Sequence, residues 1–299
     1  MDRSVALVLS SGGARGYAHI GVIEALESHG FSISSVTGCS MGAVVGGLYA
    51  AGALDKLKAW ACGLERTDVF KLYDFGFSSQ GLIRGERVFK QLESNIPDCN
   101  IENLKIPFKA LATDLNAQEE MVFDHGSLYR ALRASSSIPA VVMPAEFEGL
   151  ELLDGGILNP LPLNHVEKKE GDIVIAVDVN ARIPYECPPK SVEEMADDKK
   201  YTQLLDNLAR KWFKKENLPT RNTRKKLGFF DLMMKTIDMM QDKITDNMIV
   251  SHPPDIVVQI SRACCSTFDY YKAAQIIEEG RLATERALEK YQTQADAAS

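Results

Sequence analysis

Three short groups of residues in this chain carry the hydroxyl, amide and carboxyl groups that acyl transfer requires. In Gly38-Cys39-Ser40-Met41-Gly42 a serine stands between two glycines, after the run Ile33 to Thr37 and before the Gly- and Ala-rich stretch Met41 to Ala51. A serine at such a strand-to-helix turn is held in a strained pose with its hydroxyl exposed, and only small flanking residues, here Gly38 and Gly42, fit beside it. That geometry suits a nucleophile. The second group is the loop Ser10-Ser11-Gly12-Gly13-Ala14-Arg15-Gly16, which leaves one strand and opens a helix. Its free N–H groups point outward at the positive end of a helix dipole, where an anion is favoured, so Gly12 and Gly13 are candidate oxyanion donors. A nucleotide-phosphate cradle fits the loop less well: the Gly-Lys-Ser/Thr ending is missing, and Ser11 stands where the dinucleotide fingerprint has its first glycine.

A serine nucleophile also needs a base, and the sequence offers two routes. The third group, Asp154-Gly155-Gly156, follows the apolar Leu150 to Leu153 and puts a carboxyl at a strand end, where partial burial would raise its pKa toward the range of a working base. Alternatively His165 or His252 could serve, since both follow the acidic candidates in chain order. His19, His29 and His125 read as surface or packing residues. Asp114 and Asp178, at other strand ends, read as strand terminators and caps. Arg15 is expected to pair within the fold rather than to meet substrate.

The elements that must hold these groups alternate between strand and helix. Apolar runs predict strands near 4–10, 33–38, 108–113, 121–123, 150–153, 173–179 and 256–260, with helices after residue 16, over 41–51, and near 127–134 and 268–292. Such alternation implies a three-layer α/β/α fold with a mostly parallel central sheet. The stretch 181–252 differs: acidic Glu193 to Asp198, then a basic block from Arg210 to Lys226, then a methionine-rich run containing Met233, Met234, Met239, Met240 and Met248. It reads as an inserted helical subdomain.

Bulk properties narrow the function classes. A formal charge of -7 gives no overall attraction to nucleic acid. Six cysteines without metal-like spacing fit a reducing compartment. The opening residues make a poor signal peptide, and no apolar run approaches the roughly 18 residues of a membrane span. A cytoplasmic protein is the expectation, with membrane contact only peripheral.

Taken in order, Gly12-Gly13-Ala14-Arg15-Gly16, Gly38-Cys39-Ser40-Met41-Gly42 and Asp154-Gly155-Gly156 resemble the patatin-like phospholipase family of bacterial type. The resemblance extends to Arg133-Ala134-Ser135-Ser136-Ser137-Ile138-Pro139 and covers most of residues 4–180. It implies a single acyl hydrolase domain over 1–292; the helical insertion or lid at about 181–252 is read from its composition alone, since the family offers no motif there, and 293–299 reads as a disordered tail. It further implies a Ser-Asp dyad without histidine, with Ser40 as nucleophile, Asp154 as base, Gly12, Gly13, Arg15 and Gly16 as the oxyanion region, and no metal or organic cofactor. Ser11 departs from the family's glycine. The substrates implied are phospholipid, lysophospholipid or another fatty-acyl ester. Two other classes stay open: a lipid-binding or regulatory protein of the same fold, and a general esterase or thioesterase. Tyr201, Leu204, Leu205, Leu208 and Trp212 share a helical face beside Arg210, Lys211, Lys214 and Lys215, which suits either packing on the domain or contact with an anionic membrane at its inner face. The methionines suit an acyl-chain cavity or soft core filling. A homo-oligomer is compatible with all of this.

Overall fold

A computed structural model describes residues 3–72, 74, 81–185 and 229–298. The first half runs β1 (Arg3–Leu9), α1 (Ala18–Ser28), β2 (Phe31–Cys39), α2 (Met41–Ala50), α3 (Leu54–Cys62), α4 (Arg66–Leu72), β3 (Gly81–Ile83) and α5 (Glu86–Asn95). Next come β4 (Phe108–Asp114), β5 (Glu119–Phe123), α6 (Leu128–Ser135), β6 (Ala140–Val142), β7 (Ala145–Phe147), β8 (Leu150–Asp154) and β9 (Ile173–Ala181). After the insertion follow α7 (Phe229–Ser251), β10 (Ile256–Ser261) and α8 (Ala273–Ala298).

The central sheet has the order β10-β9-β1-β2-β4-β8-β7, with β5 also paired to β4. Its left half is parallel throughout, from β10 to β4. Val5 to Leu9 on β1 are wholly inaccessible, as a parallel strand covered by helices on both faces requires. The mostly parallel α/β reading therefore holds. The right half differs, because β5, β8 and β7 are all antiparallel to their neighbours.

That switch positions the site. β5 pairs with residues 110–114 of β4, so it occupies one edge of that stretch. On the other edge β2 pairs up to Cys39↔Leu111, and β8 takes over at Ala112↔Asp154. Two strands running from opposite directions thus end nose to nose on adjacent residues of β4. The residue after Cys39 is Ser40, and the last residue of β8 is Asp154.

The last helix differs from expectation. The α-helix starts only at Ala273, after a short 3-10 helix at Tyr270–Lys272, and α8 extends to Ala298, through most of the segment 293–299 expected to be a disordered tail. Glutamine and alanine dominate Gln292 to Ala298, and such residues extend a helix readily. The boundaries expected for the insertion, 181–252, are also too wide. Ala181 completes β9, and the residues that group as a separate compact unit are Tyr185–Lys235, while Thr236 onward belongs with the main body. Met248 and Ile249 of α7 pack against the core cluster of Val8, Leu161, Leu163, Val174 and Ala176. The amphipathic face at 201–212 and the basic block at 210–226 lie outside the described residues.

Candidate active site

Ser40 sits at the tip of the β2–α2 turn with φ 53 and ψ −122, a backbone pose that an L-residue adopts only under constraint. The constraint is steric. A Cβ on Gly38 would lie 2.6 Å from the Gly42 carbonyl, and one on Gly42 would lie 2.4 Å from Leu9 O and 2.6 Å from Ser10 O. The turn can close only with glycine on both sides, and closure also presses the start of α2 onto the end of β1. Ser40 N donates to Ser135 Oγ at 2.8 Å, and Ser135 Oγ donates on to Leu111 O at 2.6 Å, which ties the turn to α6 and β4.

Ser40 Oγ donates to Asp154 Oδ2 at 2.5 Å, and both residues are buried. The other carboxyl oxygen, Oδ1, accepts from Gly156 N at 2.8 Å and from the more distant Cys39 thiol at 3.8 Å. Asp154 N donates to Ser137 O at 2.9 Å, so the Ser135 to Ser137 segment braces both partners. Burial pushes the Asp154 carboxyl up to about 6, against the lowering effect of hydrogen bonds from Ser40, Gly156 and Cys39. The neighbouring Cys39 thiol is raised well above its ordinary value by burial first and the Asp154 charge second, so it stays protonated. The pair can transfer a proton from hydroxyl to carboxylate at near-neutral pH.

The glycine-rich loop lies beside this pair, because β1 and β2 are parallel neighbours paired up to Leu9↔Gly38. Ser11 N is taken by Pro160 O at 2.9 Å and Ala14 N by Thr267 O at 2.8 Å. The amides of Gly12 and Gly13 between them have no hydrogen-bond partner among the described residues, as a 3-10 turn starting at Gly13 leaves its first donors unused. Arg15 and Gly16 have other work. The Arg15 guanidinium donates to Asn180 Oδ1, Cys265 O and Thr267 Oγ1, fixing the loop to the end of β9 and to the connection before α8. Gly16 makes room for Met41, whose Cγ would lie 2.4 Å from a Cβ there.

The histidines stand elsewhere. His165 Nε2 pairs with Glu120 Oε2 at 2.5 Å, and His252 is exposed beside Ser251. His19 is a buried packing residue whose Nε2 meets Ser10 O at 2.9 Å, while burial lowers its pKa to about 4. His29 and His125 are exposed. Asp114 caps the turn at Asn116 and Ala117, and Asp178 accepts from Asn180 N.

Ser40 also opens on a cavity of about 130 Å³ walled by Val44, Leu57, Trp60, Val69, Phe89 and Val141, among others. An apolar cavity of about 150 Å³ takes a benzene-sized guest, so this one seats a short length of hydrocarbon without rearrangement. Part of its wall comes from α3, α4 and α5, a region where the sequence alone pointed to no element. Leu57, Trp60 and Leu64 at three- and four-residue spacing are the signal that could have revealed it. Met239, Met240 and Met248 do not line this cavity, and Met239 and Met240 on α7 are exposed. Among the described residues no helix is long and apolar enough to cross a membrane, and no cluster of three His, Cys, Asp or Glu residues could hold a metal ion.

Comparison with known proteins identifies the family. A protein of Mycobacterium tuberculosis described as an uncharacterized NTE family protein is 33% identical over 335 residues, spanning 98% of this chain and 93% of that relative. The neuropathy target esterase of Drosophila melanogaster is 30% identical over 223 residues, 72% of this chain and 15% of the longer protein. A lysophospholipase of Emericella nidulans is 34% identical over 184 residues, 60% of this chain and 12% of its own. The family model described as patatin-like phospholipase matches residues 7–166, which contain Gly12, Ser40 and Asp154, and the chain therefore belongs to the patatin-like phospholipase family.

Proposed function

We propose that this protein hydrolyses acyl esters of phospholipids or lysophospholipids through Ser40 and Asp154. The observation that carries the reading is the 2.5 Å hydrogen bond from Ser40 Oγ to Asp154 Oδ2 in a buried site. Ser40 Oγ attacks the ester carbonyl while the Asp154 carboxylate accepts its proton. With its pKa near 6, Asp154 is roughly nine-tenths ionised at neutral pH and still basic enough to take part. The Gly12 and Gly13 amides receive the oxyanion of the tetrahedral intermediate. Collapse expels the glycerol-side alcohol, which leaves with the proton from Asp154, and the acyl chain stays on Ser40 inside the apolar cavity. Water then attacks the acyl-enzyme, gives a proton to Asp154, and releases the fatty acid as the proton returns to Ser40.

A two-tailed or one-tailed lipid is favoured over a small soluble ester because the cavity walls at Ser40 are hydrocarbon. Relatives named as lysophospholipases support the same direction. The substrate then sits in a bilayer, so peripheral contact with an anionic inner leaflet belongs to the proposal. Vesicle binding indifferent to anionic lipid and to Lys214→Glu/Lys215→Glu would overturn that part. The activity itself is tested by release of fatty acid from phosphatidylcholine, lysophosphatidylcholine, monoacylglycerol and a short-chain nitrophenyl ester, with wild type and Ser40→Ala side by side. Release from the lipids that disappears in Ser40→Ala supports the reading. Equal release by both proteins overturns it.

A further inference from the structure

Gly156 is a meeting point for three polar groups drawn from distant parts of the chain. A Cβ built on it would lie 2.8 Å from Gln241 Nε2, 3.0 Å from Asp154 Oδ1 and 3.0 Å from Ser11 Oγ. Ser11 Oγ is therefore separated from Asp154 Oδ1 by no more than twice that 3.0 Å, a span that one water bridges. Gln241, on α7, donates to Gly156 O at 2.9 Å, while Gly156 N donates to Asp154 Oδ1 at 2.8 Å. The two ends of one glycine thus connect α7 to the carboxylate. Ser11 is buried, its amide is held by Pro160 O, and its hydroxyl has no hydrogen-bond partner among the described residues. A buried hydroxyl left in that state is costly, so a partner across the Gly156 niche is the economical arrangement.

Ser40 engages Oδ2, which leaves Oδ1 to this second cluster. We infer that Ser11 and Gln241 are positioning residues for Asp154: Gln241 holds the Gly156 peptide so that its N–H stays on Oδ1, and the Ser11 hydroxyl donates to the same oxygen through one water. This rests on the proposed role of Asp154 as base. Donors to Oδ1 favour the ionised carboxylate, so removing one should raise the pH at which the base becomes active. The other groups that face the carboxyl are the Ser40 hydroxyl from the start of α2, the Cys39 thiol at the end of β2 and the phenol of Tyr270 from the connection before α8. Two charges stand one step further out, Glu120 of β5 acting on Cys39 and Arg15 acting on Tyr270. Neither is hydrogen-bonded to the Ser11 or Gln241 side chain.

The test is the pH profile of kcat/KM for lysophosphatidylcholine with wild type, Ser11→Ala, Ser11→Thr and Gln241→Leu. A limb raised by about one pH unit would lower the rate about eight-fold near pH 5.5, with the deficit shrinking toward alkaline pH. Ser11→Thr, which keeps a hydroxyl, should return the limb toward the wild-type position. Fluorophosphonate labelling of Ser40 at alkaline pH reports that each variant is folded. An unmoved limb in both Ser11→Ala and Gln241→Leu, or a uniform loss at every pH, would overturn the inference. A wild type that shows neither labelling at Ser40 nor hydrolysis would instead overturn the function on which it rests.

Discussion

Asp154→Asn should make the protein more stable and inactive, and the gain should depend on pH. The wild-type carboxyl is raised from 3.8 to about 6 by burial, so the folded state holds its proton more tightly than the unfolded chain does. For an acid shifted in that direction, stability is highest below the unfolded value and is lost as pH rises through the window between the two values. A shift of about two units corresponds to roughly 3 kcal/mol, fully expressed above the folded value. Asparagine has nearly the same shape, can accept from Gly156 N through Oδ1 while its Nδ2 donates to Ser40 Oγ, and carries no charge to desolvate. The variant should therefore exceed wild type by ~2–3 kcal/mol near pH 8, several degrees in Tm, and by only about 1 kcal/mol near pH 4.5. Urea titrations of both proteins at the two pH values read this difference directly. A variant that is no more stable near neutrality, or whose advantage is the same at both pH values, would refute the argument that desolvation of this carboxyl dominates its environment.

Other consequences follow from named contacts. Gly42→Ala places a methyl 2.4 Å from the Leu9 carbonyl, so expression and Tm should fall sharply, with the serine turn unable to close. Ser135→Ala leaves Ser40 N and Leu111 O buried without their shared partner, and denaturant titration should record a loss of about 2–4 kcal/mol. Val44→Trp fills part of the cavity, and kcat/KM for long-chain substrates should drop at least ten-fold more than for a two-carbon ester.

The site was legible in the sequence to the extent that its constraints are local. Gly38 and Gly42 announce the serine turn because steric exclusion acts within a few residues, and Asp154-Gly155-Gly156 announces a strand end for the same reason. The switch from β2 to antiparallel β8 along β4 was not legible, since strand direction depends on pairings far apart in the chain. Yet that switch is what puts Asp154 opposite Ser40. Arg15 was read from its residue type as serving the fold and, through the family resemblance, as part of the oxyanion region; the three hydrogen bonds of its guanidinium to Asn180, Cys265 and Thr267 bear on the first reading. The cavity walls were missed because α3, α4 and α5 are short, and their few apolar residues, such as Leu57 and Trp60, look like ordinary core until Ser40 is seen beside them. Ser11 was visible only as a departure from the family's glycine, and its nearness to Asp154 depends on the packing of Gly156.

The central claim is that the Asp154 carboxylate activates Ser40. It is tested most directly by the rate at which a fluorophosphonate modifies the protein, with the adduct located by peptide mass spectrometry, across pH for wild type and Asp154→Asn. One adduct is expected, on the peptide containing Ser40, forming faster as pH rises with a midpoint near 6 in wild type, and about 10³-fold or more slower in the variant at every pH. An adduct on another residue, or modification of Asp154→Asn at the wild-type rate, would contradict it.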